Sequence, residues 1–170
     1  MDIIIKGRGG QGAVKAAQLL AISAFISGYE AQAFPMFGVE RRGAPVSSFV
    51  RIDKKQIRTR AQIERADYAI VLDSTLLDAG RINAKNIVVN SGRTQAGCKG
   101  FDADAIALKI FAQGVNTVMV AAFAFFSGII SQENLIQACR EVFDAESGDK
   151  NIQIVKETFS QLEKSAKRKK

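Results

Sequence analysis

Histidine and tryptophan are absent from the 170-residue chain, and there are only two cysteines, two prolines and two tyrosines. Without histidine, Ser-His-Asp triads and His-ligated zinc sites are excluded. Cys98 and Cys139 are too far apart for a metal or redox spacing and read as buried free thiols. Two isolated cysteines cannot by themselves ligate an iron–sulfur cluster. Long hydrophobic runs are also missing. The most apolar segment, 118–130, falls short of the ~20 residues a membrane helix needs, and it contains Ser127 and Gly128. The N-terminal apolar run meets glycine after a few residues, unlike a signal peptide. The expected location is the cytoplasm, without membrane contact.

The net charge is +7, but residues 164–170 (KSAKRKK) carry five positive charges and no negative ones. A short basic tail suits the C-terminal end of a helix, where cations face the negative end of the dipole. A nucleic-acid surface would need a basic stripe interleaved with stacking aromatics, and only Tyr29, Tyr68 and phenylalanines in apolar context are present. No nucleic-acid partner is expected.

Glycine is what the chain does have, in one concentrated place. The opening IIIKGRGGQGAVKAA sets Gly7, Arg8, Gly9, Gly10, Gln11 and Gly12 between a β-branched run and an Ala-rich segment. A strand–glycine loop–helix sequence lets backbone N–H groups approach an anion at the positive end of the helix. Lys15 lies inside the helix and no Gly-Lys-Ser/Thr ending follows, so the loop is not a Walker loop. Gly7-x-Gly9-x-x-Gly12 matches the dinucleotide fingerprint literally. Its acidic partner, however, belongs at the end of the second strand, where this chain has Phe34 and Pro35, with Glu30 at the strand's start. NAD(P) is therefore disfavoured.

The remaining pattern predicts strands at 3–5, 29–34, 46–52, 67–73 and 86–90, with a weaker one near 99–101. Residues 56–60 (QIRTR) read as the second arm of a hairpin with 46–52. Helices are expected over 13–27, around 74–79, over 103–113, and from Asn116 to about Gly128. Two amphipathic helices follow, the first capped by Ser131, with Leu135, Cys139 and Val142, then Ile152, Val155, Phe159 and Leu162, at helical spacing. The expectation is one domain over 1–170: an α/β, three-layer α/β/α sandwich with a mostly parallel sheet and an antiparallel hairpin edge.

Two further groups could serve the glycine loop. Glu40, Arg41 and Arg42 stand between Gly38 and Gly43, after the second strand, on the rim where an open α/β sheet binds ligands. Adjacent arginines can chelate a phosphate or carboxylate bidentately, with Glu40 orienting one of them. Asn116 and Thr117 precede an apolar helix and could cap it or donate to a ligand. The aspartate pairs Asp67/Asp73 and Asp102/Asp104 have no partners that suggest a metal or acid–base site.

The segments GRGGQGAVKAA, AFPMFGVERRGAPVSSFVRI, VLDSTLLDAG and NTVMVAAFAFFSG occur in this order. Together they resemble the gamma subunit of 2-oxoacid:ferredoxin oxidoreductases, the pyruvate type in particular, over nearly the whole chain. The resemblance implies a non-autonomous subunit of an enzyme that oxidatively decarboxylates a 2-oxoacid to acyl-CoA and CO2 and reduces ferredoxin. It implies thiamine diphosphate, Mg2+ and [4Fe–4S] clusters on alpha, beta and delta-type partner subunits, with coenzyme A at or near this chain. Carried over, Gly7 to Gly12 become the cradle for coenzyme A phosphates. Glu40, Arg41, Arg42, Gly43, Asn116 and Thr117 become wall or contact residues, with no catalytic residue on the chain. Alternatives are the small subunit of indolepyruvate:ferredoxin oxidoreductase, a stand-alone NAD(P)-binding domain, and a ligand-free interaction module. The nearly all-apolar helices also imply an exposed apolar patch, or a homo-oligomer, when the chain is expressed alone.

Overall fold

A computed structural model describes residues 1–36, 43–59, 61–77, 82–93 and 97–167. Its strands are β1 (Asp2–Arg8), β2 (Glu30–Pro35), β3 (Pro45–Asp53), β4 (Ala66–Val71), β5 (Ala84–Asn90) and β6 (Cys98–Phe101). Its helices are α1 (Ala13–Ile26), α2 (Ala103–Ile110), α3 (Val115–Ser127), α4 (Gln132–Val142) and α5 (Ala145–Lys167). One six-stranded sheet has the order β2-β3-β1-β4-β5-β6. β1, β4, β5 and β6 are parallel, and β3 runs antiparallel to both β1 and β2.

The α/β class and the largely parallel sheet are as the sequence suggests, but the hairpin is made differently. β3 pairs with β2 on one side and β1 on the other, so no edge remains for residues 56–60. Residues 56–59 are not a strand, and Arg60 lies outside the described residues. Beside them, the 91% buried Arg51 donates to the Ala61 carbonyl at 2.6 Å and faces Asp2 at 3.3 Å. Burying that cation is tolerable because its donors are satisfied.

The order of layers also differs from the expected α/β/α. Ile3, Ile5, Val50, Ile70, Leu72 and Val88 turn one face of the sheet toward a core that takes in all five α-helices. The opposite face carries Ile4, Phe49, Ala69, Val71 and Val89, and is closed by Ile63 and by Leu76 of the 3₁₀ turn Ser74–Leu76. Among the described residues the layers are sheet, then α1 and α3, then α4 and α5 packed on those helices. The expected helix over 74–79 is this 3₁₀ turn as far as it is described.

Helix boundaries follow local chemistry. Gly28, at φ +85°, stops α1 one residue past its Ser27 cap. α2 ends at Ile110 rather than 113, because Phe111 is extended and Ala112–Gly114 forms a 3₁₀ turn. Gly114 fits this turn closely: a Cβ on it would lie 2.0 Å from Cδ1 of the fully buried Ile154, which would have to shift for the turn to dock on α5. Ser131 accepts from the Asn134 N–H, as its capping position predicts. On the outside, Val14 and Phe25 of α1 and Leu108 of α2 are half-exposed or more, so apolar surface is left over.

Candidate functional site

β1 delivers the chain into the glycine loop at the carboxyl rim of the parallel strands. Gln11 folds back on the loop: its side chain accepts from the Arg8 N–H at 2.7 Å, and its own N–H donates to the Arg8 carbonyl at 2.9 Å. Gly7 is still strand, and a Cβ there would press Leu72 Cδ1 at 3.0 Å. Gly10 and Gly12 take positive φ, +99° and +76°. A Cβ on Gly10 would meet nothing within 4 Å, so this residue faces open space.

The helix N-termini divide into two kinds. Those of α2 and α4 are capped by the side chains of Asp102 and Ser131 and carry Asp104 and Glu133 in their first turns. At the start of α5, Asp144 accepts from the Ser147 N–H, and Glu146 sits in the first turn. By contrast, α1 and α3 begin at Gly12 and Gly114, which have no capping side chain, and neither has an acid in its first turn. No first-turn acid therefore offsets either positive end. Both open onto a cavity of about 570 Å³ lined by Gly10, Gly12, Lys15, Gln113, Asn116 and Phe143, among others.

Lys15, which the sequence reading passed over as a residue inside the helix, is the lysine of this wall. Its ammonium donates to the Val142 carbonyl at 3.1 Å and lies 5.5 Å from the Phe143 ring centroid. The available signal was its place three residues after Gly12, within the first turn of α1. Asp104 and Asp144 also line the cavity, but each has structural partners: Asp104 accepts from Asn90, and Asp144 from Ser147.

Neither Asn116 nor Thr117 is the N-cap of α3, because the helix starts two residues earlier than the polar pair suggests, but Asn116 Oδ1 accepts from the Thr117 N–H in the first turn at 2.9 Å. The Asn116 amide reaches the Gly12 carbonyl at 3.4 Å and lines the cavity. Thr117 is fully buried, its hydroxyl 2.5 Å from Asn151 Oδ1. It offers no surface to a ligand.

Glu40, Arg41 and Arg42 lie outside the described residues, but Gly43 is placed. Its N–H donates to the Gly9 carbonyl at 3.2 Å, and the Gly9 N–H donates to Ala44 at 2.9 Å, so it roots directly on the glycine loop. Arg8 adds a fork beside it: Nε to Asp73 Oδ2 at 2.9 Å, one terminal nitrogen to the Gly43 carbonyl at 3.0 Å, the other to Thr75 Oγ1 at 2.7 Å. Glu30 sits far from the loop in topology, at the start of β2, with β3 between β2 and β1. One intervening strand moves β2 to about 9–10 Å from β1, whereas a dinucleotide fold puts its acidic strand next door.

The family model described as "Pyruvate ferredoxin/flavodoxin oxidoreductase" matches residues 2–161. The chain belongs to that family. It is 43% identical to the pyruvate synthase subunit PorC of Methanothermobacter thermautotrophicus, over 96% of this chain and 97% of that one. Identity is 42% to the pyruvate/ketoisovalerate oxidoreductases common subunit gamma of Thermococcus litoralis, covering 94% and 95%. The crystal structure of the PORC subunit from Thermotoga maritima superposes with a TM-score of 0.77 at 30% identity, covering 94% and 95%. The fold also recurs, at TM-score 0.72 and 16% identity over 94% of this chain, within 30% of a chain of the Magnetococcus marinus 2-oxoglutarate:ferredoxin oxidoreductase, solved with 2-oxoglutarate, coenzyme A and succinyl-CoA bound. As a member of this family the chain is the gamma subunit of a pyruvate/2-oxoacid:ferredoxin oxidoreductase, an oxidoreductase built from several subunits. No helix among the described residues is long and apolar enough to cross a membrane.

The rim also sets an acid limit on the fold. Partial burial raises the Asp73 carboxyl, but hydrogen bonds from the Thr75 hydroxyl and N–H, with the Arg8 guanidinium, outweigh it and hold Asp73 below its ordinary 3.8. Asp67 is held low by Lys85 and the Asp2 N–H. Depressed carboxyls contribute stability that is present above their unfolded pKa and lost as pH falls through the folded value. Thermal midpoints should hold from pH 7 to about 5 and fall steeply below about 4. The fall should be shallower in Asp73→Asn. An equally steep fall in that variant would remove Asp73 from the cause.

Proposed function

We propose that this gamma subunit supplies the phosphate-binding wall of the coenzyme A site of its complex. Alpha, beta and delta-type subunits then hold thiamine diphosphate, Mg2+ and the [4Fe–4S] clusters, and ferredoxin accepts the electrons. One observation carries the reading: the two helices with neither an N-cap side chain nor a first-turn acid, α1 and α3, both open at their N-termini, with Lys15, onto one cavity. Backbone N–H groups at such ends bind phosphate without further machinery, and a lysine adds the point charge. Coenzyme A supplies a thiol that accepts the acyl group. The chain's own residues hold its anionic end and keep the thiol oriented toward chemistry performed on partner chains. The coenzyme A named for the Magnetococcus enzyme agrees with this at the level of fold.

The leftover apolar surface at Val14, Phe25 and Leu108 is consistent with a chain that finishes its burial against other subunits, or against itself when expressed alone.

The test is steady-state kinetics of the assembled complex with Lys15→Ala. Loss of one charge-assisted contact of roughly 1.5–3 kcal/mol should raise KM for coenzyme A about ten- to a hundredfold. KM for the 2-oxoacid should not change. Unchanged KM for coenzyme A in both Lys15→Ala and Gly10→Val would favour the ligand-free interaction module.

A further inference from the structure

We propose that Arg8 is not a ligand of the bound phosphates but a positioning residue. Its guanidinium latches the glycine loop to the root of the Gly43 turn and to the Asp73–Thr75 turn, setting three rim segments in one arrangement. The assignment rests on the coenzyme A reading above and goes beyond it, since an arginine within a glycine-rich phosphate loop would ordinarily be counted among the phosphate contacts.

The geometry is specific. Nε and both terminal nitrogens each have a protein acceptor, Asp73 Oδ2 at 2.9 Å, the Gly43 carbonyl at 3.0 Å and Thr75 Oγ1 at 2.7 Å. Asp73 is itself fixed, because Oδ1 accepts from the Thr75 N–H at 3.0 Å and from the Thr75 hydroxyl at 2.6 Å. Three of the five guanidinium N–H donors are thus committed to protein acceptors, and the paired carboxylate offsets the charge, which reduces the attraction for a phosphate. The set also spans the sheet. Arg8 ends β1, Asp73 follows β4, and Gly43 precedes β3, on the other side of β1. Arg8 does not line the cavity that holds Gly10, Gly12 and Lys15. Lysine cannot replace this fork, because an ammonium is a point charge and cannot present three coplanar donors.

The experiment uses the assembled complex and measures KM for coenzyme A and for the 2-oxoacid in Arg8→Gln, Asp73→Ala, the double variant and Arg8→Lys, with Lys15→Ala as reference. A latch gives Arg8→Gln and Asp73→Ala similar rises in KM for coenzyme A, about tenfold, since small misplacements of a binding group carry large penalties. The double variant adds little more, as expected for two members of one interaction. Arg8→Lys fails to rescue, and KM for the 2-oxoacid stays put. If Arg8→Gln raises KM for coenzyme A while Asp73→Ala does not, Arg8 touches the ligand directly and the latch is overturned. Normal values in all four variants, with Lys15→Ala impaired, also overturn it while leaving the coenzyme A reading intact. Normal values throughout, Lys15→Ala included, overturn both. Should Arg8→Gln fail to assemble, Thr75→Val, which removes one acceptor, is read the same way with a rise of about two- to threefold.

Discussion

Gly12→Ala should produce the largest functional loss of any single methyl group added to this chain. Gly12 sits at φ +76°, where an L residue loses about 1–2 kcal/mol. The new Cβ would also fall 2.6 Å from Asn116 Nδ2, closer than real Cβ contacts come, and a tight 3.3 Å from its Cγ. Asn116 is 93% buried at the start of α3, and moving its side chain gives up the contact of its amide with the Gly12 carbonyl. Relief comes from displacing the Asn116 side chain or separating the N-termini of α1 and α3, and either change reshapes the cavity wall. The expected result is a rise of at least tenfold in KM for coenzyme A. A fall in thermal midpoint of about 4–8 °C should accompany it, for about 2 kcal/mol in a chain of this size. Gly10→Ala is the comparison: it shares the positive φ but its Cβ meets open space, so stability should drop less. A Gly12→Ala protein with native midpoint and native KM would contradict the placement of the loop against α3.

Phe123→Ala should be the most destabilising core change. Phe123 is fully buried in α3 and meets the Tyr68 ring edge-on, centroids 5.1 Å apart at 86°. Tyr68 belongs to β4, so this contact ties the inner helix layer to the centre of the sheet. Removing a buried phenylalanine ring costs about 3–5 kcal/mol. Against a typical total of about 5–15 kcal/mol, much of the fold's margin goes. Chemical denaturation of the purified chain should show the midpoint displaced accordingly, and Phe25→Ala, which removes a ring that is 68% exposed, should leave it nearly unchanged. Equal losses in the two variants would mean that α1's outer face is buried in the protein as it exists in solution, as it would be in an oligomer.

How much could be read beforehand depended on the range of the signal. β1, the glycine loop and α1 were legible because strand, turn and helix follow one another without interruption. α4 and α5 were legible from their amphipathic spacing and, for α4, the Ser131 cap. The hairpin was misread because QIRTR alternates like a strand, and nothing local says that both edges of β3 are already taken. Layer order was misread for a related reason. Ile3, Ile4 and Ile5 show that both faces of β1 are covered, but not that one cover is made by helices and the other by coil at Ile63 and a turn at Leu76. In the site, Asn116 was singled out for its polarity, and the structure puts it against Gly12. The partners of Lys15 and of Arg8 were not legible, since they depend on α4 and on the turn after β4 coming to the same rim. Family membership came from long motifs, which carry more than any single glycine spacing.

The most direct test of the central claim is calorimetric titration of the assembled complex with coenzyme A, with NADH and NADPH as controls, in the native form and with Gly10→Val in this chain. The account predicts saturable coenzyme A binding that weakens at least tenfold in Gly10→Val, and no binding of either nicotinamide nucleotide at this site. Coenzyme A affinity untouched by Gly10→Val would contradict it, because the glycine loop would then form no part of the site.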